Sequence, residues 1–179
     1  MIYSTTYASP LGEILMASDG DSLVGLWLQR QKHFASTVAE SMEEKSGLAV
    51  FGATKDWLDR YFDGKKPAPR ELPLAPKGGE FQRIVWDLLC EIPYGEVTTY
   101  GAIAKKVAVL MNKERMASQA VGGAVGRNPI SIIIPCHRVV GANGNLTGYG
   151  GGIPLKIKLL EHEGLDMSRF FVPKKGTAI

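Results

Sequence analysis

The sequence predicts an α/β protein, with a small antiparallel sheet and helices in its first half and a helical second half. Three observations carry that. Short runs rich in Thr, Tyr and aliphatic residues, separated by turn-forming residues, fill the first thirty positions. From residue 80 onward apolar side chains recur at helical spacing. Between the two patterns, residues 63–79 hold Gly64, Pro67, Pro69, Pro73, Pro76, Gly78 and Gly79, a composition that resists both helix and central strand and reads as a linker. We therefore place a boundary near residue 77, giving a sheet-plus-helix domain over 1–76 and a second domain over 77–179. The length of 179 residues, with 45% hydrophobic and 22% charged content, excludes disordered and collagen-like chains. No run approaches the roughly 20 apolar residues of a membrane helix, and the N-terminus lacks a signal-peptide pattern.

In the first half, Ile2–Ala8, Glu13–Ser18 and Leu23–Gln29 read as strands. Ser9-Pro10-Leu11-Gly12 and Asp19-Gly20-Asp21 turn the chain between them. A helix is expected over Ser36–Glu44. A second is expected over Val50–Phe62, where Val50, Ala53, Trp57, Leu58, Tyr61 and Phe62 share a face. In the second half, Phe81, Ile84, Val85, Leu88, Leu89 and Ile92 mark an amphipathic helix over 80–91, which Pro93-Tyr94-Gly95 ends. Thr98 or Thr99 caps the next, Tyr100–Val109, and a third runs over about Arg115–Gly126. Ile130–Ile134 reads as a short apolar strand leading to Cys136. A last helix, Leu155–Glu163, starts at Pro154 and ends at Gly164.

Charge is unevenly spread. Residues 1–76 carry 8 Lys/Arg against 10 Asp/Glu, and residues 77–179 carry 13 against 8. A basic second half is compatible with a polyanionic partner. Two helices joined by a turn there read as a helix-turn-helix, and the second is rich in small residues: Ala117, Ala120, Gly122, Gly123, Ala124 and Gly126. One of its faces has almost no side chain and can lie close to another backbone.

The two cysteines, Cys90 and Cys136, make neither a disulfide framework nor a cysteine-rich zinc site. Cys90 sits on an amphipathic helix with no histidine near it and reads as packing. His33 reads as a solvated loop residue. Cys136 is followed by His137 and Arg138. A free thiol is only a few per cent thiolate at neutral pH, so a nucleophilic cysteine needs a base, and an imidazole oriented by a carboxylate supplies one. Neighbouring residues on an extended strand point to opposite faces. His137 can therefore serve Cys136 only if the chain turns there or a water bridges them. Glu163 is the carboxylate we nominate.

The segment Ile134-Pro135-Cys136-His137-Arg138-Val139-Val140 resembles the active site of the 6-O-alkylguanine-DNA alkyltransferases, the methylated-DNA–protein-cysteine methyltransferases. Phe81–Trp86, Ile92–Tyr100, Ala120–Ala124, Arg127-Asn128-Pro129, Gly148-Tyr149 and Leu159–Gly164 resemble further segments of that family in the same order. The likeness covers about residues 58–165 strongly and the N-terminal sheet loosely.

The resemblance implies a ribonuclease-H-like N-terminal domain and a winged-helix type of C-terminal domain. It implies binding of double-stranded DNA, flipping of the alkylated guanine, and irreversible transfer of its alkyl group to Cys136. In that scheme His137 acts as base through a water and Glu163 orients it. Tyr100 protonates the departing guanine. Asn128 ties together the turn between recognition helix and active site. Val139, Tyr149, Gly150 and Val125 line the base pocket, where the carbonyls of Cys136 and Val139 read the exocyclic amine. Thr99, Arg115, Ala120, Gly122, Gly123 and Arg127 meet the DNA. Much of the family has an arginine filling the gap left by the flipped base; that position here is Gln119, which is long enough to insert but uncharged. The residues around Val107–Lys113 also lengthen the preceding helix or turn.

No cofactor or metal is expected, because the DNA itself donates the alkyl group. A cytoplasmic monomer is expected, nuclear if the source has a nucleus. Two other classes fit parts of the pattern. A thiol hydrolase would use Cys136 and His137 for acyl transfer, but no oxyanion loop follows the cysteine. A non-catalytic damage binder would not need Cys136.

Overall fold

A computed structural model describes residues 1–38 and 41–174 of the chain. The described residues form two compact units. One comprises Met1–Gly78 with Pro129–Ile134, and the other Gly79–Asn128 with Pro135 onward.

The first unit is built on a four-stranded sheet in the order β3-β2-β1-β4. Strands β1 (Ile2–Ser9), β2 (Gly12–Ser18) and β3 (Leu23–Leu28) are antiparallel neighbours. The β1–β2 turn closes at Ser9, whose hydroxyl donates to the Gly12 carbonyl at 2.6 Å and accepts from Leu11 N–H at 3.1 Å. Strand β3 is buried along its whole length, as its unbroken apolar run requires. Gly25 is needed there because a Cβ would stand 1.9 Å from the Trp27 ring. The helix expected over 36–44 is not formed: Met42–Glu44 is a strand, β4, parallel to β1, while residues 39 and 40 lie outside the described residues. Backbone pairing with an open sheet edge outweighs weak helix propensity at those positions. Helix α1 (Ala49–Phe62) buries Val50, Phe51, Trp57, Leu58 and Tyr61. The rings of Trp57 and Tyr61 stack at 5.5 Å.

The proline-rich stretch is not a free linker. Leu23 N–H donates to the Pro73 carbonyl and Ala75 N–H to the Leu23 carbonyl, both at 2.8 Å. Residues 129–134 do not form the expected strand. Ile130 alone pairs with Leu26, and a turn follows with Ile132 at φ 69°. Three bonds hold this segment: Leu26 N–H to Pro129 O at 2.8 Å, Ser131 N–H to Leu26 O at 2.9 Å, and the buried Ser131 hydroxyl to Gln31 Oε1 at 3.0 Å. A β-branched residue at positive φ persists only where its surroundings impose it.

In the second unit, α2 (Glu80–Leu89) packs on α4 (Ser118–Gly126), where the buried Trp86 Nε1–H donates to the Ala124 carbonyl at 2.9 Å. Helix α3 (Tyr100–Leu110) precedes α4 and packs against it, completing the helix-turn-helix. Helix α4 begins three residues later than the spacing predicts, so Arg115 lies in the preceding turn. A two-residue strand β5 (Thr98–Thr99) pairs in parallel with β6 (Val139–Val140). Helix α5 (Ile153–His162) follows, with Glu163 at its C-cap and Gly164 at φ 83° ending it. No helix among the described residues is long and apolar enough to cross a membrane.

Candidate active site

Cys136 opens a single 3-10 turn, Cys136–Arg138, rather than ending a strand. That turn puts three consecutive polar side chains into the interior: Cys136 is 6% exposed, His137 is 0% and Arg138 is 3%. Such burial is tolerated only with partners, and Glu163 supplies most of them. His137 Nε2 bonds Glu163 Oε2, and Arg138 Nε donates to Glu163 Oε1 at 2.7 Å. Gly95 N–H donates to Oε1 at 3.0 Å, and Arg138 Nη1 reaches the Ile92 carbonyl at 2.7 Å. The loop ending α2, the cysteine turn and the C-cap of α5 therefore meet at one carboxylate.

The electrostatics assign the charges. Burial pushes the Glu163 carboxyl up, but hydrogen bonds from His137 and Arg138 outweigh it and hold it at about 2. Burial pushes the His137 imidazole down, against the pull of Glu163, and the cations of Arg138 and Lys156 push the same way as burial. His137 is therefore a neutral base oriented by an ionised Glu163. Its Nδ1 is buried with no hydrogen-bond partner among the described residues, which leaves that nitrogen available to take a proton.

Burial raises the Cys136 thiol, and hydrogen bonding by the Asn128 side chain and the charge of Lys156 oppose it. Asn128, at the end of the turn after α4, is thus one of the groups that favour the thiolate.

Tyr100, the first residue of α3, is 2% exposed and donates its phenol to the Thr147 carbonyl at 3.0 Å. Thr99 caps the same helix, its Oγ1 accepting from Ala102 N–H at 3.1 Å. Burial raises the Tyr100 phenol well above its usual range, so it stays protonated and available as a hydrogen-bond donor and proton source.

One site residue escaped the sequence reading. Lys156 is fully buried, and its ammonium donates to the Val139 carbonyl and, at 3.0 Å, to the Thr147 carbonyl. Burial lowers it to about 8. A signal was present in the sequence, since Lys156 shares the i, i+3, i+4, i+7 stripe of α5 with the buried Leu159, Leu160 and Glu163. A lysine on a buried stripe must find acceptors inside.

Among the remaining residues, Val139 lies in β6 and is buried. Tyr149 and Gly150 are half-buried in the loop before α5, and the Tyr149 hydroxyl is buried without a partner among the described residues. On α4, Gln119, Ala120, Gly123 and Arg127 are exposed and lie along one side of the helix, while Gly122 and Val125 face inward. Gly122 thus belongs to the packed face, not to the exposed face expected for it. Arg115 is exposed. No side chain caps the first turn of α4.

Comparison with known proteins agrees with this geometry. The family model for the DNA binding domain of 6-O-methylguanine DNA methyltransferase matches residues 80–165, and that for its ribonuclease-like domain matches residues 2–76. A methylated-DNA–protein-cysteine methyltransferase of Haemophilus influenzae is 41% identical over 162 residues, covering 90% of this chain and 86% of its own. One from Methanosarcina acetivorans is 42% identical over 163 residues, covering 91% and 99%. Among solved structures, Mycobacterium tuberculosis OGT in complex with DNA superposes with a TM-score of 0.78 at 40% identity, covering 94% of each chain. An O6-methylguanine DNA methyltransferase from Methanococcus jannaschii gives 0.62 at 30% identity, covering 98% and 99%. With a cysteine–histidine–glutamate cluster inside a helix-turn-helix unit, and both family domains matched in order, the chain belongs to the methylated-DNA–protein-cysteine methyltransferase family.

Proposed function

We propose that this protein repairs DNA by direct reversal, taking the alkyl group of a 6-O-alkylguanine irreversibly onto Cys136. The observation that carries the reading is the buried Cys136 on one turn with His137, whose Nε2 bonds the buried Glu163. His137 accepts the thiol proton at Nδ1, through one water, and the ionised Glu163 stabilises the imidazolium that forms. The thiolate attacks the alkyl carbon, an S–C bond forms, and the C–O bond to guanine breaks. Negative charge then develops on the base, and the Tyr100 phenol donates its proton to it. No low-barrier reverse path exists from a thioether, so each protein acts once.

Cys136 is too buried to reach a stacked base, so the guanine leaves the duplex at a cost of a few kcal/mol. The exposed side of α4, with Ala120 and Gly123 small and Gln119 long, fits a minor groove, Gln119 entering the gap left by the base. Arg115 and Arg127 meet phosphates. The Val139 carbonyl already accepts from Lys156, and its second lone pair remains for the exocyclic amine of guanine.

Incubation with a duplex bearing one 6-O-methylguanine tests this. The intact mass should rise by one methylene in one-to-one stoichiometry, mapped to the peptide of Cys136, and Cys136→Ala should bind the duplex without gaining mass. An unchanged mass in the bound wild-type protein would make it a damage binder instead.

A further inference from the structure

The segment after α5 is built into the loop that holds Tyr100. Beyond Gly164, Leu165 N–H bonds back to the Leu160 carbonyl at 3.2 Å, and one turn at Met167–Arg169 carries the chain to Phe171. There Phe171 N–H donates to the Gly144 carbonyl at 3.0 Å, and the Phe171 carbonyl accepts from Leu146 N–H at 2.8 Å. The two segments run side by side there as a parallel bridge between Asn145 and Phe171. Gly144 has φ 85°, and a Cβ on it would stand 2.2 Å from the Arg169 carbonyl oxygen. Beneath the bridge, Leu165, Met167 and Phe170 pack on Val140, Leu146 and Leu160.

The next residue along the loop is Thr147, whose carbonyl takes the Tyr100 phenol and the Lys156 ammonium, both at 3.0 Å. The bonds to Phe171 and the apolar cluster under Leu146 fix that carbonyl from the chain side. The relay around Cys136 is held differently, by Arg138 and Gly95 N–H on Glu163, with Arg138 itself anchored on the Ile92 carbonyl. Lys156 touches both halves, but no backbone bond from the strap reaches Glu163 or its partners among the described residues.

We propose that the strap over residues 165–171 is a positioning element for Tyr100, acting through the backbone of Phe171 on the Gly144–Thr147 loop. The inference rests on the proton-donor role given to Tyr100 above. It predicts that loosening the strap slows transfer from guanine and leaves thiol activation intact.

Phe171→Pro deletes the N–H donor. Phe170 already has φ −120° and ψ 155°, the extended conformation that a following proline requires of the residue before it. Phe171→Ala keeps both backbone bonds and serves as the conservative variant. We expect Phe171→Pro to slow single-turnover methyl transfer from duplex 6-O-methylguanine about tenfold. Alkylation of Cys136 by iodoacetamide, which needs the thiolate but not Tyr100, should stay within about twofold. In protein labelled with 13Cζ-tyrosine, the Tyr100 resonance should move in Phe171→Pro and keep its place in Phe171→Ala. The proposal is overturned if transfer is unchanged, if both reactions fall together, or if the Tyr100 resonance does not move. If the wild-type protein transfers no methyl group while that resonance still moves, the strap stands and the alkyl-transfer reading fails.

Discussion

Tyr100 donates its phenol to the Thr147 carbonyl at 3.0 Å, across 47 residues of chain. The proton assigned to the departing guanine is thus already committed in the resting protein, and the phenol must turn from a carbonyl to the base. Tyr100→Phe removes the proton source. It does not orphan the carbonyl, which keeps Lys156. Single-turnover methyl transfer should fall by about 10²–10⁴-fold, while urea melts should show a loss of about 1 kcal/mol. A variant that transfers at the wild-type rate would remove Tyr100 from the mechanism.

Glu163→Gln keeps the shape of the side chain and removes its charge. Arg138 is then a buried cation without a counterion, and the amide cannot satisfy both His137 and Arg138 as the carboxylate does. Breaking a buried pair in this way costs about 3–5 kcal/mol. Equilibrium denaturation should show that loss, and transfer should fall at least about 10²-fold because the imidazolium loses its stabiliser.

The same carboxylate sets the acid limit of the fold. Its folded value of about 2 lies below the ordinary 4.5. The unfolded chain therefore binds the proton first as pH falls. The stabilisation is complete above about 4.5 and is lost as pH drops through about 2, amounting to roughly 3 kcal/mol. Denaturation midpoints recorded down the acid range should decline over that window in the wild type. The decline should be shallower in Glu163→Gln, and equal slopes would contradict the assignment.

Lys156 shows the same sign of pH dependence from a different cause. Burial lowers it to about 8 from 10.5, so between those values the unfolded chain holds more protons and stability rises with pH. Wild-type protein should gain up to roughly 3 kcal/mol across that window relative to Lys156→Met. In transfer assays the same variant should be slower, because the Val139 and Thr147 carbonyls lose the donor that fixes them.

Gln119 is exposed on α4 where much of the family has arginine. Gln119→Arg adds one cation to the exposed side of α4 proposed to meet DNA. Duplex affinity should rise, and the slope of log affinity against log salt should steepen by about 1. Fluorescence anisotropy at two or more salt concentrations reads both. An unchanged slope would place residue 119 away from the phosphates.

Several elements could be read from residues within a few positions of one another. The apolar repeat of α2, the Thr99 cap of α3 and Gly164 closing α5 are short-range signals, because helix periodicity and capping depend on neighbours three to eight residues away. The cysteine, its histidine and a carboxylate partner were likewise named from the sequence, since their chemistry demands those residue types. Tertiary structure decided what depends on distant contacts. Met42–Glu44 became a strand because β1 offered an edge. Residues 129–134 gave up strand geometry to bonds with Leu26 and Gln31. Cys136, His137 and Arg138 are buried together only because a turn, not a strand, presents them. Lys156 acquired its place from two carbonyls 9 and 17 residues away. A local pattern fixes which face of an element is apolar, but not which buried polar groups will meet; that choice follows from satisfying every donor and acceptor once the chain is packed.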